Sequence, residues 1–124
     1  SPNLETRKLE YVIVNDLKDV IKEDGYSFYL EVLGYNYHDA KPLGVSLKTS
    51  KNNYYIPFEL LNDTDFFNDG FKKYTYDLKK CLVVFNRFDV RIDENNHDLM
   101  LEAYLLNKNI NANNFASKSP ENSA

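Results

Sequence analysis

The chain of 124 residues carries 15 Lys and Arg against 19 Asp and Glu, which gives a formal net charge of −4. This length forms one domain that buries roughly 65% of its unfolded surface, and the acidic balance disfavours strong electrostatic attraction to nucleic acid. No apolar run approaches the ~20 residues that span a bilayer, no signal peptide is visible, and the single cysteine excludes an internal disulfide, so we expect a cytoplasmic protein.

The first predicted elements are a short strand and a helix, which follow an N-terminal segment (residues 1–10) that we expect to be flexible. Residues 11–14 form a β-rich run, and Asn15 is a candidate N-cap. The apolar side chains that follow have helical spacing: Leu17, Val20 and Ile21. Gly25 is a typical left-handed C-cap residue, so we expect it to end this helix.

Residues 26–33 are rich in aromatic and β-branched side chains and predict a central strand. Because side chains alternate along a strand, two sets each share a face: Phe28, Leu30 and Val32, and Ser27, Tyr29 and Glu31. The first set is apolar and is expected to pack under a helix. The second places the Glu31 carboxylate in a buried element, which is costly unless the carboxylate is paired, hydrogen-bonded or coordinated.

Two further strands, at residues 43–47 and 54–56, are predicted to complete an antiparallel meander led by the central strand. The first of them alternates apolar with small or polar residues, as a half-buried strand does. The polar residues 49–53 form a candidate turn between them. Pro57 cannot donate to a strand ladder and is expected to close the last strand.

The second half of the chain is predicted to alternate helices with short strands. Residues 64–70 are a candidate short helix, with Asp63 as its cap and with Phe66 and Phe67 facing the sheet. Residues 71–74 are a candidate strand. This alternation is typical of a sheet with helices packed on it.

A longer helix is predicted at residues 77–85, with one apolar stripe: Leu78, Leu82 and Phe85. A short strand at 89–92 follows, and Asn96-His97-Asp98 is expected to open an apolar helix at 99–106. From residue 107 to 124 the composition becomes polar, so we expect a partly disordered tail. The order of elements predicts an α/β domain with a mixed sheet and flanking helices.

Six stretches carry a combined signal in their order and spacing. They are residues 11–14, Tyr29-Leu30-Glu31, Tyr37-His38-Asp39-Ala40 with Leu43-Gly44-Val45, Tyr55-Ile56-Pro57, Tyr76-Asp77-Leu78-Lys79, and Asp98-Leu99-Met100-Leu101-Glu102-Ala103-Tyr104-Leu105-Leu106-Asn107. Together they resemble motifs of the 3′–5′ exonuclease (proofreading) domain of bacterial DNA polymerase I, a family A polymerase. The stretch that begins at Tyr37 is similar to the loop and second strand of family members that have lost exonuclease activity. The resemblance covers residues 11–116, suggests an exonuclease-like domain at 11–106, and implies the ribonuclease H-like fold.

In that family, four carboxylates hold two divalent metals that activate a water and stabilise the leaving oxygen of a phosphodiester. The resemblance implies that Tyr29 stands at the first ligand position, Glu31 at the second and Asp77 at the third, and the chain stops before the fourth. Mg²⁺ requires near-octahedral oxygen coordination, and a phenol with a pKa of about 10 does not replace a carboxylate at neutral pH. We therefore predict a degenerate site without nuclease activity and expect no cofactor. Mg²⁺ or Mn²⁺ would be needed only by an active site.

Structural interpretations of the same two acids stay open. Glu31 is a candidate to accept a hydrogen bond from Tyr76 or from another nearby Tyr or Lys. Asp77 is a candidate helix N-cap for the amides that follow it. Both interpretations compete with residual metal binding at Glu31 and Asp77.

The remaining candidate sites have structural explanations that we favour. His38-Asp39 and His97-Asp98 superficially resemble a metal phosphohydrolase, but both lie at predicted turns or helix starts, where Asp caps. Cys81 is interpreted as a small core residue. A basic group surrounds Asp77 and is either a remnant of contacts to a DNA backbone or a solvated helix face: Lys72, Lys73, Lys79 and Lys80.

Three functions remain open. The first is a non-catalytic exonuclease-like module, a structural platform in a DNA polymerase I chain that acts as a DNA-directed DNA polymerase in replication and repair. The second is an active two-metal 3′–5′ exonuclease in which Asp39 or Asp98 completes the site, and the third is a stand-alone nucleic-acid- or protein-binding domain. We expect DNA and a polymerase domain in cis as partners, and no membrane. We also expect a C-terminally truncated fragment whose apolar helix at 99–106 offers a dimer surface.

Overall fold

The computed structural model describes residues 10–101 and 105–106. Its strands are β1 Val12–Ile13, β2 Gly25–Leu33, β3 Lys41–Lys48, β4 Asn53–Pro57, β5 Thr64–Phe67, β6 Lys72–Thr75, β7 Val90–Ile92 and β8 Asn96–Asp98. Helix α1 spans Leu78–Arg87, and 3₁₀ turns span Leu17–Asp19 and Phe58–Leu60. Residues 99–101 and 105–106 are also helical, as predicted. The predicted flexible segment (except residue 10) and the predicted tail lie outside the described residues.

The main sheet has six strands in the order β1-β4-β3-β2-β6-β8. Strands β2, β3 and β4 pair antiparallel, which confirms the predicted meander. Strand β1 joins β4 in parallel, β6 joins β2 in parallel and β8 joins β6 in parallel. A separate parallel pair is formed by β5 and β7. The sheet is therefore mixed, and β2 lies near its middle with neighbours of both directions.

The hydrophobic core lies on the apolar face of β2. Phe28 and Leu30 are buried there, and Phe85 of α1 stacks on Phe28 with 6.1 Å between ring centroids. Phe67 of β5 stacks on Phe85 at 5.0 Å, so one aromatic cluster joins the sheet, the helix and the small parallel pair. Such pairs contribute about 0.5–1.5 kcal/mol each beyond the area they bury. This cluster fixes the position of α1 relative to the sheet.

Helix α1 confirms the helix predicted at residues 77–85, but its buried face differs from the predicted stripe. The buried residues are Cys81, Val84 and Phe85, whereas Leu82 is 41% exposed. Successive residues of an α-helix are separated by about 100° around its axis, so Leu82 is turned away from the face that Cys81 and Phe85 share. The prediction that Cys81 is a core residue is confirmed, since its side chain is buried. This burial raises the pKa of its thiol to about 11.

Three predicted elements differ from the structure. The helix expected after Asn15 is a single 3₁₀ turn, and its cap is Asp16, whose carboxylate accepts from the amide of Lys18 at 2.9 Å. The helix expected at 64–70 is wrong, because residues 64–67 form β5, where a β-branched Thr and two Phe suit a strand. Residues 96–98, expected only to open the helix at 99–106, also form a strand, β8, beside β6.

A cluster of buried charges lies beside the β6 end of the sheet. We call it the Lys73 cluster; its members are Lys22, Tyr26, Asp69, Lys73 and Asp93. The Lys73 ammonium is 0% exposed and lies 2.9 Å from Asp69 and 2.6 Å from Asp93. Asp69 also pairs with Lys22 at 2.7 Å and accepts from the Tyr26 hydroxyl at 2.6 Å. The cluster ties β2 and β6 to the loops on either side of them.

The burial of Lys73 corrects one site prediction. Lys73 was expected in a basic group with Lys72, Lys79 and Lys80, but its charge is neutralised inside the protein. Only the other three lysines remain as candidates for contact with a partner. Within residues 10–101 and 105–106, no helix has the length and apolar character needed to cross a membrane.

Candidate functional site

Two residues of β2 define the candidate site on the face of the sheet opposite the aromatic core. Tyr29 lies across from Ser46 of β3, and Glu31 lies across from Gly44. Tyr29 is 49% exposed and Glu31 is partly buried, while Phe28 and Leu30 between them are buried on the other face. The spacing of two residues therefore brings the phenol and the carboxylate to the same face, as the sequence predicted.

The Tyr55 side chain forms the wall beside Glu31. It lies so close over Gly44 that a Cβ at that position would overlap the phenol, so the glycine is required for this close approach. Burial and then the charge of Glu31 raise the pKa of the Tyr55 phenol. In the described part of the chain no hydrogen bond joins Glu31 to Tyr76, or to the other Tyr and Lys side chains that the sequence offered as alternatives. The close neighbour of Glu31 is a different tyrosine, Tyr55.

Asp77 stands between β6 and α1 and serves as the N-cap of the helix. Its backbone is left-handed, with φ of 62°, and its Oδ1 accepts from the amide of Lys80 at 3.4 Å. Its Oδ2 accepts from the hydroxyl of Tyr37 at 3.2 Å. The negative charge of Asp77 raises the pKa of the Tyr37 phenol. The capping interpretation of Asp77 is confirmed, and both of its carboxylate oxygens have a donor from the protein itself.

Asp98 holds Asp77 in place. Its two carboxylate oxygens accept from the amides of Asp77 and Leu78, both at 3.2 Å. Its Oδ1 also accepts from the amides of Met100 and Leu101, at 3.0 and 3.3 Å. One side chain therefore caps the starts of two helical segments. The sequence signal for the second cap was visible, an Asp before an apolar run, but nothing in the sequence indicated the first.

One lysine of the predicted basic group, Lys80, contacts Tyr29. The Lys80 ammonium lies over the Tyr29 ring, 5.4 Å from its centroid. This contact is a cation–π interaction, worth about 0.5–1 kcal/mol at an exposed site. Lys72 and Lys79 of the predicted basic group are exposed, Lys72 on β6 and Lys79 on α1. The three remaining lysines therefore lie on two different elements and only Lys80 contacts the candidate site.

The described residues do not fit a pair of divalent metals. No group of three or more His, Cys, Asp or Glu side chains in that part of the chain is arranged to hold a metal ion. Tyr29, for which the resemblance implies a carboxylate position, supplies a phenol. Asp77 accepts hydrogen bonds from the Tyr37 hydroxyl and the Lys80 amide. The two His-Asp pairs do not change this conclusion. His38 sits in an exposed turn and His97 stacks on Tyr74 at 5.0 Å.

A shallow hollow of about 270 Å³ lies next to Tyr29 on the open face of the sheet. Its walls include these residues: Tyr11, Ser27, Ser46, Tyr76 and Leu99. A second hollow of about 530 Å³ lies on the far side of α1, between Leu82 and Ile92, and contains none of the predicted site residues. The first hollow therefore adjoins the candidate site at Tyr29 alone, since neither Glu31 nor Asp77 lines it.

The strand order and the paired positions on β2 define the class of domain. The exonuclease domain of Nibbler from Aedes aegypti superposes with a TM-score of 0.54 at 14% identity, over 77% of this chain and 55% of that one. RNase D from Escherichia coli, an exoribonuclease involved in structured RNA processing, superposes with a TM-score of 0.53 at 10% identity, over 73% of this chain and 27% of that one. At such low identity these matches establish the fold alone, which is ribonuclease H-like.

The family follows from sequence similarity. The family model for the DNA polymerase I, ribonuclease H-like domain matches residues 28–123, so the chain belongs to this family. DNA polymerase I of Bacillus subtilis is 27% identical over 119 residues, which are 90% of this chain and 14% of the relative. DNA polymerase I of Geobacillus stearothermophilus is 27% identical over 103 residues, 79% of this chain and 12% of the relative. The chain thus spans about one-seventh of the length of these polymerases.

Proposed function

We propose that this domain is a catalytically inactive, exonuclease-like module of a DNA polymerase I chain that acts in DNA replication and repair. Its role is architectural: a folded platform next to the polymerase domain in cis. The observation that supports the proposal is that Tyr29 shares a face of β2 with Glu31. The sequence resemblance implies that this is the position of the family's first metal-binding carboxylate.

Charge and coordination support inactivity. Two divalent ions about 4 Å apart repel each other strongly and need several carboxylates to neutralise them. The Tyr29 phenol, with an ordinary pKa of about 10, contributes no negative charge at neutral pH. Asp77 already accepts hydrogen bonds from Tyr37 and from the Lys80 amide, which a metal ion would have to displace. Glu31 alone therefore cannot neutralise and hold two divalent metal ions.

The same proposal assigns partners to the outer surfaces. The polymerase domain in cis is the principal partner, and DNA is bound by the parent chain in the cytoplasm. Lys72, Lys79 and Lys80 are proposed to give at most weak contacts to a DNA backbone, because the chain as a whole is acidic. The exposed leucines of the last helical segment, Leu101 and Leu105, are the proposed surface for a dimer of the isolated chain.

A primer-degradation assay tests the loss of activity. The purified chain and its Glu31→Ala variant are incubated with a single-stranded oligonucleotide in Mg²⁺ and then in Mn²⁺, and the products are resolved on a denaturing gel. We expect no shortening above the buffer control for either protein. Degradation by the natural chain that disappears in Glu31→Ala would refute the proposal and establish an active two-metal nuclease.

A second observation tests whether the domain is part of a DNA polymerase I chain. We expect the coding sequence downstream of Ala124 to continue into a polymerase domain. A stop codon immediately after Ala124 would contradict a role as a platform in cis and would favour a stand-alone binding domain. In that case, salt-dependent binding to single-stranded DNA would be the next property to measure.

A further inference from the structure

The segment that joins β2 to β3 is a compact, self-bonded loop. We call residues 34–40 the strap. The backbone carbonyl of Asn36 accepts from the amides of Asp39 at 3.1 Å and Ala40 at 2.7 Å, and its side-chain oxygen accepts from the amide of His38 at 2.9 Å. Ala40 is buried at the end of the strap. These local hydrogen bonds fix the conformation of the strap, so we expect it to move as a rigid unit.

The strap is fastened to both ends of α1. At the start of the helix, the Tyr37 hydroxyl donates to Oδ2 of Asp77 at 3.2 Å. At its end, Arg87 is the last residue of α1, and its Nη1 donates to the carbonyl of Tyr37 at 2.9 Å and to that of Ala40 at 2.7 Å. A helix of 10 residues is about 15 Å long, and the long side chains of Tyr37 and Arg87 together bridge that distance. Its fastening points are 40 to 50 residues away in sequence.

We propose that the strap is an autoinhibitory latch: the Tyr37 hydroxyl occupies the Asp77 carboxylate and blocks divalent cations there, independently of the missing acid at Tyr29. Arg87 is the positioning residue of the latch, because it holds the Tyr37 backbone so that the hydroxyl reaches Asp77. Two features therefore oppose metal binding at the site: the absence of a carboxylate at Tyr29 and the hydrogen bond from Tyr37 to Asp77. This inference rests on the proposed function, since it explains how a site without metal is kept shut.

The physical basis is competition for one oxygen. The Tyr37 hydroxyl donates at 3.2 Å, longer than the roughly 2.5–2.7 Å of a strong hydroxyl–carboxylate bond, so we assign it the strength of an ordinary hydrogen bond. A cation that binds Asp77 through Oδ2 must displace the hydroxyl, and Arg87 keeps that hydroxyl close by, at a high effective concentration. Tyr37→Phe removes only the donor oxygen and keeps the ring that packs against the core. The variant therefore tests the latch without opening a cavity.

The experiment compares Mn²⁺ binding with and without the latch, in a chain whose missing acid has been restored. The complete 124-residue chain is made as Tyr29→Asp and as Tyr29→Asp with Tyr37→Phe, and free Mn²⁺ is measured by electron paramagnetic resonance during titration. We expect the double variant to bind roughly tenfold more tightly, because it frees a charged acceptor from a donor. Tyr29→Asp with Tyr35→Phe is the matched control, since Tyr35 is fully exposed, and it should bind like Tyr29→Asp alone.

A second readout needs no metal. Hydrogen exchange of the Asp39 and Ala40 amides, measured by nuclear magnetic resonance, should accelerate in Tyr37→Phe and in Arg87→Gln, and should return toward the natural rate in Arg87→Lys, which keeps a donor. Tyr35→Phe should leave these rates unchanged. Equal Mn²⁺ affinity with and without the Tyr37 hydroxyl would overturn the latch, as would exchange rates unaffected by Arg87→Gln. Neither result depends on nuclease activity, so failure of the latch is distinguishable from failure of the proposed function.

Discussion

The carboxylates of the Lys73 cluster and those of the candidate site have different kinds of partner. In the Lys73 cluster, Asp69 and Asp93 are mostly buried, and each lies within 3 Å of a lysine ammonium of the chain. In the candidate site, Glu31 and Asp77 have no lysine or arginine within ion-pair distance among the described residues, and the Asp77 carboxylate accepts from one amide and one phenol. The comparison shows two ways of holding a partly buried acid: Asp69 and Asp93 are paired with lysines of the chain, whereas Asp77 is held by hydrogen bonds from uncharged groups.

Physical reasons explain the difference. A buried charge without a partner is very costly, so the removal of one member from a paired cluster leaves the others exposed to that cost. Partly exposed carboxylates keep water as a partner and tolerate the loss of a neighbour. We therefore expect the Lys73 cluster to be sensitive to substitution for reasons of stability, and the candidate site to be insensitive.

The largest expected effect is that of Lys73→Met. The substitution leaves Asp93 without its ammonium and Asp69 with only one, so the free energy of unfolding should fall by about 3–5 kcal/mol. Urea denaturation followed by circular dichroism measures this. Lys72→Met is the matched control: Lys72 is the exposed neighbour on β6, and its loss should change stability by less than about 0.5 kcal/mol. Equal effects of the two substitutions would refute the importance of the cluster.

A smaller loss is expected for Asp98→Ala. The variant removes acceptors from the starts of two helical segments, and a single cap is worth about 0.5–2 kcal/mol, so we expect a loss of about 2 kcal/mol. Asp98→Asn keeps one acceptor oxygen and should lose about half as much. Denaturation midpoints measured under the same conditions check both values. An Asp98→Ala protein as stable as the natural one would contradict the double cap.

The Lys73 cluster also predicts a dependence of stability on pH. Burial opposes ionisation of Asp93, but hydrogen bonds from Lys73 and from the amides of Gly70 and Asn95 outweigh it and lower its pKa to about 2. Because this pKa lies below the unfolded value of 3.8, the stabilisation is complete above pH ~4 and is lost as the pH falls toward ~2. Melting temperatures measured from pH 6 to pH 2 should fall less steeply for Asp93→Asn. Parallel curves would contradict the assignment.

The smallest effect is expected at Tyr29. Tyr29→Leu removes the ring under the Lys80 ammonium and should lower stability by about 0.5 kcal/mol, because the contact is exposed to solvent. The control is Lys80→Met, which removes the other partner and should cost a similar amount; the double variant should cost less than the sum. Fully additive effects in urea denaturation would show that the two side chains do not interact.

Local patterns were sufficient to predict the meander and the shared face of Tyr29 and Glu31. They offered the cap at Asp77 only as one of two alternatives. They failed at β5, because a short apolar run such as Phe66-Phe67 suits a strand or a helix equally and its pairing with β7 is a long-range event. They also failed at Lys73, since its burial depends on Asp69 and on Asp93, which lies 20 residues away in sequence. Contacts between distant segments decide what a side chain does in both cases.

The Tyr37 contact with Asp77 was equally beyond prediction. The two residues are 40 positions apart, and a tyrosine in a turn-rich segment has no pattern that indicates its partner. Asp77 as a helix cap and Asp77 as a metal ligand place the same residue at the same position, so sequence alone left both interpretations open. The hydrogen bonds that Asp77 accepts from the Lys80 amide and the Tyr37 hydroxyl support its role as a cap.

The central claim, that Glu31 and Asp77 no longer form a metal site, is tested most directly by paramagnetic broadening. The side-chain carboxyl carbon signals of the labelled chain are recorded by nuclear magnetic resonance while Mn²⁺ is added in small amounts. We predict that Glu31 and Asp77 broaden no sooner than exposed acids such as Asp39 and Glu59. Selective and simultaneous broadening of Glu31 and Asp77 at the lowest Mn²⁺ additions would contradict that claim.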